Sequence, residues 1–383
     1  MREQSLAGQA AFAPANTADI ADAMIVSSGL RIEVDRRRGR GAGLNPTGRF
    51  EALQRETFDD GWQTLEELPP FKTDVQIEKP RTAITRNESP DIGFDRSINP
   101  YRGCEHGCIY CFARPTHAYL DLSPGLDFES RLFAKPDAPE LLRTELGKRG
   151  YVCRPIAFGT NTDPYQPIEA EWRITRQCIE VLAEHDHPLT ITTKSNRVTR
   201  DLDILAPMAR KGLAAVMVSV TSLDPKIAMT VEPRAPHPEK RLQAVRQLAD
   251  AGVPVFVSLS PVIPHVTDHE LEHILERAAE AGARTAFFLP VRLPHEVSPL
   301  FRAWLDTHFP DRAGKVMATI QSIRGGKDND PNFHTRFRGH GPWAELLRTR
   351  FRMAAKRHGL DREVLRLRTD LFRPPRGAQG ELF

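Results

Sequence analysis

The chain has 383 residues, of which 40% are hydrophobic and 27% charged, a composition typical of a globular protein with a sizeable core. No run of residues approaches the roughly 18 consecutive apolar positions of a membrane helix, and acids interrupt the mildly apolar stretch near the amino terminus where a secretory signal would be apolar. Five cysteines are too few for a disulfide framework. We therefore expect a protein of the reducing cytoplasm, without a membrane span.

The net charge of +3 is unevenly distributed along the chain. Six arginines face two acids between Arg31 and Phe50, and twelve basic residues face four acids between Arg336 and Arg376. The rest of the chain is therefore net acidic. Two basic flanks around an acidic centre favour a polyanionic partner such as nucleic acid, although basic runs are more commonly solvated faces.

The amino-terminal part of the chain shows little pattern. Residues 1–30 are small and polar, and the arginine–glycine run 36–41 has no apolar positions that could form a packing face. One strand is expected near 73–77. We predict that residues 1–90 form a basic extension that is largely disordered or extended.

From residue 97 onward, short apolar runs alternate with amphipathic stretches, the pattern of a parallel sheet covered by helices. The predicted strands are Ile156–Gly159, Leu189–Thr193, Ala215–Val220, Val255–Leu259 and Thr285–Val291. The predicted helices are Ile174–Glu184, Leu202–Lys211, Pro238–Ala251 and Asp268–Ala281, the last two ending at Gly252 and Gly282.

With one more strand just before Cys104, this pattern gives about six βα units, too few for a closed eight-stranded barrel. We therefore predict an α/β fold, a partial (β/α)6 TIM-like barrel over residues 91–300. Residues 301–383 are predicted to be a helical, arginine-rich extension broken by a loop at 325–331. Within it, Arg348–Arg376 is expected to form a packed pair of amphipathic helices, whose arginine face could follow phosphates.

Three of the five cysteines, Cys104, Cys108 and Cys111, lie within eight residues in the spacing C-x3-C-x2-C. A short loop containing Gly107 can bring three thiolates together, and thiolates are ligands for zinc or for iron–sulfur clusters. Three ligands on a cubane leave its fourth iron open to bind a substrate. The alternatives are a zinc site completed by His106 or His117, and unligated core thiols.

Tyr110 before the last cysteine completes a motif that resembles that of the radical S-adenosylmethionine (SAM) superfamily. The segments from Ser97 to Cys104 and from Cys111 to Arg114 resemble its bacterial branch similar to spore photoproduct lyase. The resemblance implies that the three cysteines hold a [4Fe–4S] cluster whose open iron chelates the amino and carboxylate groups of SAM. An electron from an external donor such as flavodoxin or ferredoxin would then cleave SAM to a 5′-deoxyadenosyl radical, which abstracts hydrogen.

Active sites of βα barrels lie at the carboxyl ends of the strands. The residues after the second predicted strand are Thr160, Asn161, Thr162 and Asp163. The resemblance implies that this strand end contacts the SAM amino group, although the familiar Gly-Gly-Glu is absent. An Asx-type turn before Pro164 is the structural alternative.

The same resemblance assigns positions on the later strands. Lys194, followed by Ser195, would pair with the SAM carboxylate, and Ser219 would reach the ribose. Val262 and Ile263 would pack against adenine, to whose edge Tyr110 would offer main-chain groups. Arg241 could bind a carboxylate or lie on a helix surface.

The remaining cysteines limit the analogy. The lyases carry a hydrogen-donating cysteine just after the second strand, where this chain has Thr160 to Asp163. Lesion reversal through the same relay is therefore not expected. Cys178 lies on the apolar face of a predicted helix and Cys153 precedes the second strand, so neither is expected to hold a second cluster.

The last five residues, Gln379–Phe383, resemble the peptide by which bacterial DNA-repair proteins bind the sliding clamp. Taken together, the sequence predicts a cytoplasmic radical SAM enzyme, lyase- or transferase-like, that acts on a macromolecule. DNA lesion repair is favoured over modification of RNA or protein. The alternative is a non-catalytic nucleic-acid-binding protein with a structural zinc or iron–sulfur site.

Overall fold

The structure is a computed structural model that describes residues 39–51, 72–362 and 365–375. Its strands are β1 Asp74–Ile77, β2 Thr85–Arg86, β3 Arg96–Ile98, β4 Tyr101–Arg102, β5 Arg131–Ala134, β6 Ile156–Phe158, β7 Leu189–Thr193, β8 Ala214–Ser219, β9 Val255–Val262 and β10 Thr285–Pro290.

Eleven α-helices lie in the described residues: α1 Asp127–Ser130, α2 Ala138–Leu146, α3 Glu169–Trp172, α4 Ile174–Glu184, α5 Leu202–Arg210, α6 Pro225–Val231, α7 Pro238–Asp250, α8 Leu271–Glu280, α9 Val297–His308, α10 Pro310–Ser322 and α11 Gly341–Arg357. Three 3-10 helices accompany them at Arg114–Leu120, Asn196–Asp201 and Asp268–Glu270. None of these described helices is long and apolar enough to cross a membrane.

The larger sheet has the strand order β10-β9-β8-β7-β6-β3-β2. The six strands from β10 to β3 are parallel, and β2 joins β3 in the antiparallel direction. In the part of the chain that the structure describes, β2 and β10 are the two edges and do not pair with each other. The sheet is therefore an open, partial TIM-like barrel, and the sequence prediction of fold class is confirmed.

Most residues of the inner strands β6 to β9 are buried, because helices cover the outside of the barrel and side chains fill the inside. Strand β7 and helix α4 have the predicted bounds, and the other predicted elements of the barrel shift by a few residues at most. Helices α7 and α8 end before Gly252 and Gly282, whose φ angles of +77° and +93° favour glycine. Those two helix ends are confirmed.

A second, smaller sheet lies beside the barrel in the order β1-β5-β4. Strand β1 pairs in parallel with β5, so part of the predicted amino-terminal extension is built into the fold. Residues 1–38 and 52–71 lie outside the described residues, and the boundary near 90 stays a prediction.

Helices α9 and α10 pack on the segment that carries the cysteines, and their buried residues share one apolar cluster with Ile109 and Tyr110. The predicted helix pair at the carboxyl terminus is wrong in its second member, because residues 365–375 are not helical. We call this segment the strap. Its backbone N–H groups bond to loops instead, with Arg368 donating to Gly212 O and Arg373 to His185 O, 2.9 Å in both cases.

Candidate active site

The cysteine loop, residues 104–111, follows directly after β3 and β4 at the carboxyl end of the barrel. Its first backbone N–H, that of Cys104, donates to Phe128 O at 2.9 Å, and Ile109 N donates to Val231 O at 3.1 Å. Gly103 and Gly107 have φ angles of +73° and +66°, and a Cβ atom at either would lie within 3 Å of a neighbouring oxygen or carbon. The glycines therefore let the chain turn tightly enough to bring the cysteines together.

The three thiols are free and lie largely out of solvent, with Cys104 and Cys108 each 7% exposed. Burial raises the pKa of Cys104, and the nearby Asp163 and Cys108 raise it further. Burial also raises the pKa of Cys108 to about 12. Ionising the buried thiols of Cys104 and Cys108 side by side therefore requires positive charge beside them. This donor set fits an iron–sulfur cluster, which has thiolate ligands and carries its own positive iron.

No three His, Cys, Asp or Glu side chains in the described ranges are grouped so that they could hold one metal ion. A cubane cluster does not require its three cysteines to converge on one metal ion, because each cysteine binds a different iron. One ring nitrogen of each histidine in the zinc alternative lies near a residue other than a cysteine. His106 Nδ1 lies 3.3 Å from Asp163, and His117 Nε2 lies 2.9 Å from Arg131 O.

Arg114 and Glu129 form a fully buried ion pair that lies against the cysteine loop. The Arg114 guanidinium also donates to Cys108 O at 2.9 Å and to Gly107 O at 3.1 Å. Arg114 lies three residues after the last cysteine, at the start of a 3-10 helix. The pair fixes the main chain of the loop, because all of these contacts exclude water.

The amino-terminal segment 39–42 closes the other side of this ion pair. Glu129 accepts hydrogen bonds from Gly41 N and Ala42 N, both at 2.8 Å. Arg40 is 7% exposed and donates to Glu129 O and to Thr73 Oγ1. The prediction that the arginine–glycine run lacks a packing partner is wrong for residues 39–41, because the backbone and one arginine supply the contacts that apolar side chains do not.

Asp163, predicted as a SAM contact, lies at the centre of a hydrogen-bond network. Its carboxylate accepts from Thr193 Oγ1 at 2.6 Å and from Lys194 N at 2.8 Å, and His106 lies beside it. Burial opposes ionisation, yet His106 and these hydrogen bonds hold the pKa of Asp163 below its usual range. Asp163 therefore joins the cysteine loop to the ends of β6 and β7.

The other residues predicted after β6 also hold neighbouring loops. Thr160 and Asn161 bond to the side chain of Asn99, and Thr162 donates to Gly103 O at 2.6 Å. Gln166, in the same turn, accepts from Glu105 N at 2.9 Å and donates to Gly103 O. The predicted turn is thus brought to the cysteine loop, where it supports the backbone.

Lys194 and Tyr110 are brought together on the inner side of the cysteine loop. The Lys194 ammonium lies 5.8 Å from the centre of the Tyr110 ring. Despite its desolvation, the charges of Cys108, Glu232 and Asp163 keep the pKa of Lys194 above its usual value. Lys194 Nζ makes no hydrogen bond within the described residues, so a fixed positive charge is available to a ligand.

Glu232 fixes the position of the Tyr110 side chain. The Tyr110 hydroxyl donates to Glu232, which also accepts from Thr221 Oγ1 at 2.7 Å and pairs with Arg241 at 2.5 Å. Arg241 is 1% exposed, so its carboxylate partner is internal and the helix-surface alternative is wrong. Although burial raises the pKa of a carboxyl, Arg241 and Lys194 lower that of Glu232 to about 2.

The remaining predicted residues lie at the ends of the later strands. Ser195 Oγ accepts from Arg197 N at 3.2 Å and caps a 3-10 helix, while Ser219 ends β8 and its carbonyl accepts from Arg241 at 3.3 Å. Val262 and Ile263 are buried where β9 ends, and Ile263 shares an apolar cluster with Tyr110. The strand-end rule therefore places all the predicted positions at one end of the barrel.

The sequence reasoning missed Glu129 and did not identify the partners of the strand-end residues Gln166 and Thr221. Each is a polar residue distant in sequence from its partner, and Glu129 lies 15 residues beyond Arg114. Their only signal in the sequence is a polar side chain, which does not identify its partner. Cys178 is buried in α4, as predicted, and Cys153 lies before β6.

The profile of the radical SAM superfamily matches residues 98–278. The match begins six residues before Cys104 and includes the ends of strands β3 to β9. Over this segment, slightly less than half of its length, the chain is similar to the radical SAM superfamily.

Similar proteins have been found in bacteria and archaea. An uncharacterized protein of Mycobacterium tuberculosis is 37% identical over 222 residues, which cover 57% of this chain and 65% of the relative. An uncharacterized protein of Methanocaldococcus jannaschii is 26% identical over 237 residues, covering 62% of this chain and 85% of the relative. The alignment thus spans slightly less than two thirds of the mycobacterial protein.

Among solved structures, spore photoproduct lyase resembles this chain with a TM-score of 0.52 and 17% sequence identity. The alignment covers 75% of this chain and 80% of the lyase. At this identity the likeness establishes the fold alone, an open, partial TIM-like barrel.

Proposed function

We propose that this protein is a radical SAM enzyme that cleaves SAM reductively at a [4Fe–4S] cluster held by Cys104, Cys108 and Cys111. The observation that carries the proposal is the buried loop of three free thiols at the carboxyl end of the barrel, beside the unbonded ammonium of Lys194. When bound, the cluster supplies the electron that releases a 5′-deoxyadenosyl radical for hydrogen abstraction.

Each neighbouring group has a part in holding SAM. Lys194 provides positive charge for the SAM carboxylate, and its main chain is fixed by Asp163. Val262 and Ile263 supply an apolar wall for adenine, and Ser219 faces the ribose. Tyr110, fixed by Glu232, offers its backbone to the adenine edge. Arg241 acts through Glu232, so it positions Tyr110 and does not bind SAM.

For the substrate we propose a macromolecule, with DNA lesion repair as the first reaction to screen and RNA or protein modification as the alternatives. One lyase structure contains a bound dinucleoside spore photoproduct together with AdoMet, which supports a nucleic-acid substrate for this fold. In the described residues after β6, Thr160 to Asp163 include no cysteine that could donate hydrogen. Any lesion chemistry here therefore uses a hydrogen source other than the lyase cysteine.

The test is anaerobic reconstitution with iron and sulfide, followed by addition of dithionite and SAM. We expect about four irons per chain, and 5′-deoxyadenosine should be detected by chromatography. The triple variant Cys104→Ala, Cys108→Ala, Cys111→Ala should lose both the iron and the product. Cys153→Ala is the matched control and should retain both.

The outcomes separate the candidate functions. One zinc per chain and no iron would contradict the proposal and favour a nucleic-acid-binding protein with a structural metal. Lys194→Met should raise the KM for SAM about tenfold while the iron content stays unchanged. The external electron donor, the cytoplasmic location and clamp binding by Gln379–Phe383, which lies outside the described residues, stay predictions.

A further inference from the structure

A group of arginines and phenylalanines lies at the end of β10, outside the cysteine site. Arg292 follows this strand, and the loop 323–340 between α10 and α11 lies against it. Arg324, 4% exposed, fixes the loop by donating to Val291 O at 2.9 Å and to Arg336 O at 2.6 Å. We call Arg292, Phe333, Arg336, Phe337 and Arg338 the basic-aromatic surface.

Two guanidinium groups share one aromatic ring in this surface. The guanidinium carbons of Arg292 and Arg336 each lie 4.7 Å from the centre of the Phe337 ring. Arg336 is paired with Asp91 at 2.6 Å. Arg292 makes no hydrogen bond or ion pair within the described ranges, and its Nε is buried without a partner. An anion is the missing complement of this arrangement, because a desolvated cation without a partner is costly.

The charges around Arg292 support the same conclusion. Burial, together with the nearby Arg336 and Arg324, lowers the pKa of Arg292 to about 10, although Asp91 and Asp330 oppose the shift. Arg338 is exposed and has no acidic partner in the described part of the chain. Two arginines are thus available to an incoming polyanion.

The surface also offers flat apolar faces. Phe333 is 51% exposed, and its ring lies 4.8 Å from the Arg336 guanidinium. Beside it runs a cleft of about 680 Å³, lined by residues that include Phe288, Leu289, Phe337 and Arg348. Exposed rings among arginines can stack on unpaired bases, which a duplex keeps inside its own stack.

We propose that the basic-aromatic surface binds a single-stranded segment of nucleic acid, with phosphates at Arg292 and Arg338 and a base stacked on Phe333. Val291 and Leu293, on either side of Arg292, share an apolar cluster with Ile109 and Tyr110. Arg292 follows β10, which runs parallel to β9, so the surface lies at the carboxyl end of the barrel, the end that carries the cysteine loop. The inference names the substrate class of the proposed enzyme and rests on that function for its catalytic meaning.

The experiment measures fluorescence anisotropy of a labelled oligothymidylate with the full chain, between ~50 and ~200 mM salt. Arg292→Gln with Arg338→Gln should weaken binding about tenfold at low salt and reduce the salt slope by about 1.4, as expected for two lost phosphate contacts. Phe333→Leu keeps an apolar side chain but removes the ring, and should weaken binding about fivefold without changing the slope. Arg210→Gln, exposed at the end of α5, is the matched control with unchanged binding.

Thermal unfolding of each variant separates misfolding from lost contacts, and Phe333 is exposed enough for its variant to fold. Unchanged binding by the double arginine variant would overturn the inference. So would equal competition by duplex DNA, or by polyglutamate, which would indicate an acidic protein partner. Wild-type protein that binds the oligonucleotide but forms no 5′-deoxyadenosine would contradict the proposed function alone. Product formation combined with unchanged binding by the double variant would contradict this inference alone.

Discussion

Arg40 in the amino-terminal segment and Arg292 beside the carboxyl-terminal loop differ in where their charge is used. Arg40 is 7% exposed and donates to Glu129 O and Thr73, so its guanidinium is part of the support of the cysteine loop. Arg292 stacks on Phe337 and has no hydrogen bond within the described residues. Composition does not separate these two arginines, and only their partners distinguish a structural arginine from one available to a ligand.

The comparison extends to the carboxyl-terminal region itself. The strap, 365–375, is docked along loops at the amino ends of the strands, and Phe372 contacts His187 with ring centres 5.2 Å apart. The loop 323–340 instead exposes Phe333 and Arg338. A basic segment is therefore structural where its backbone and rings find partners, and open where they do not. The following experiments test this division.

The largest effect is expected at the ion pair under the cysteine loop. Glu129→Gln keeps the shape but leaves the Arg114 charge buried without its partner, so the free energy of unfolding should fall by about 3–5 kcal/mol. Chemical denaturation measures this loss. Glu272→Gln, which breaks a more exposed pair with Arg350, should cost under about 1 kcal/mol. Equal losses of unfolding free energy in the two variants would contradict the structural role of the Arg114–Glu129 ion pair.

Gly41→Ala should have the next largest effect. A Cβ atom at Gly41 would lie 1.9 Å from Gly107 O, so the segment or the cysteine loop must move. We expect a loss of about 1–3 kcal/mol in unfolding free energy, together with a lower iron content after reconstitution. Gly93→Ala meets no atom within 4 Å and should retain the wild-type iron content. Full iron in Gly41→Ala would show that the loop forms without the amino-terminal segment.

The docked strap predicts a pH dependence of stability. Burial lowers the pKa of His187 to about 4, below the 6.5 of an exposed histidine. Between these two pKa values His187 is protonated in the unfolded chain but neutral in the folded chain. Its contribution to the free energy of unfolding is therefore complete above pH 6.5 and is lost as the pH falls toward 4. Between pH 7 and pH 5 the loss should be about 2 kcal/mol.

Denaturation at several pH values measures this effect in variants. His187→Gln should remove this part of the pH dependence, whereas the exposed His340→Gln should keep it. The difference between the two variants isolates His187 from other buried histidines such as His117, whose pKa burial also lowers to about 4. Parallel pH profiles in the two variants would contradict the buried placement of His187.

The smallest effect sharpens the comparison most directly. Arg40→Gln should cost about 1–2 kcal/mol of unfolding free energy, since it removes buried hydrogen bonds, and should leave oligonucleotide binding unchanged. Arg338→Gln should change stability by under about 0.5 kcal/mol and weaken binding. Chemical denaturation measures the stability of the two variants, and fluorescence anisotropy measures their oligonucleotide binding. Equal effects of both variants on binding would show that the flanks act as one diffuse basic field.

The sequence was informative wherever the signal is local. The repeated alternation of apolar runs and amphipathic stretches predicted six parallel strands, and β7 and α4 have the predicted bounds. The spacing of Cys104, Cys108 and Cys111 predicted the cysteine loop. Both signals survive folding because strand and helix periodicity, and the reach of a short loop, depend on neighbours in the chain.

The second predicted helix at the carboxyl terminus shows where such signals fail. Residues near Leu367 have helical spacing, yet Arg368 N bonds to Gly212 O and Arg373 N to His185 O. The acceptors are carbonyl groups of barrel loops that are distant in the chain, so a local sequence pattern cannot predict these bonds. The partners of Asp163 could not be predicted for the same reason: its position after β6 follows from the sequence, but its bonds to Thr193 and Lys194 do not.

By itself, the sequence determined the barrel and the ligands of the candidate cluster, because both follow from short-range spacing. Only the tertiary structure decided how the charges are used: Arg40 joins Glu129 across 89 residues, and Arg241 closes on Glu232 beneath Tyr110. Electrostatic and hydrogen-bond partners are chosen by proximity in space and by exclusion of water, and neither is written in residue order.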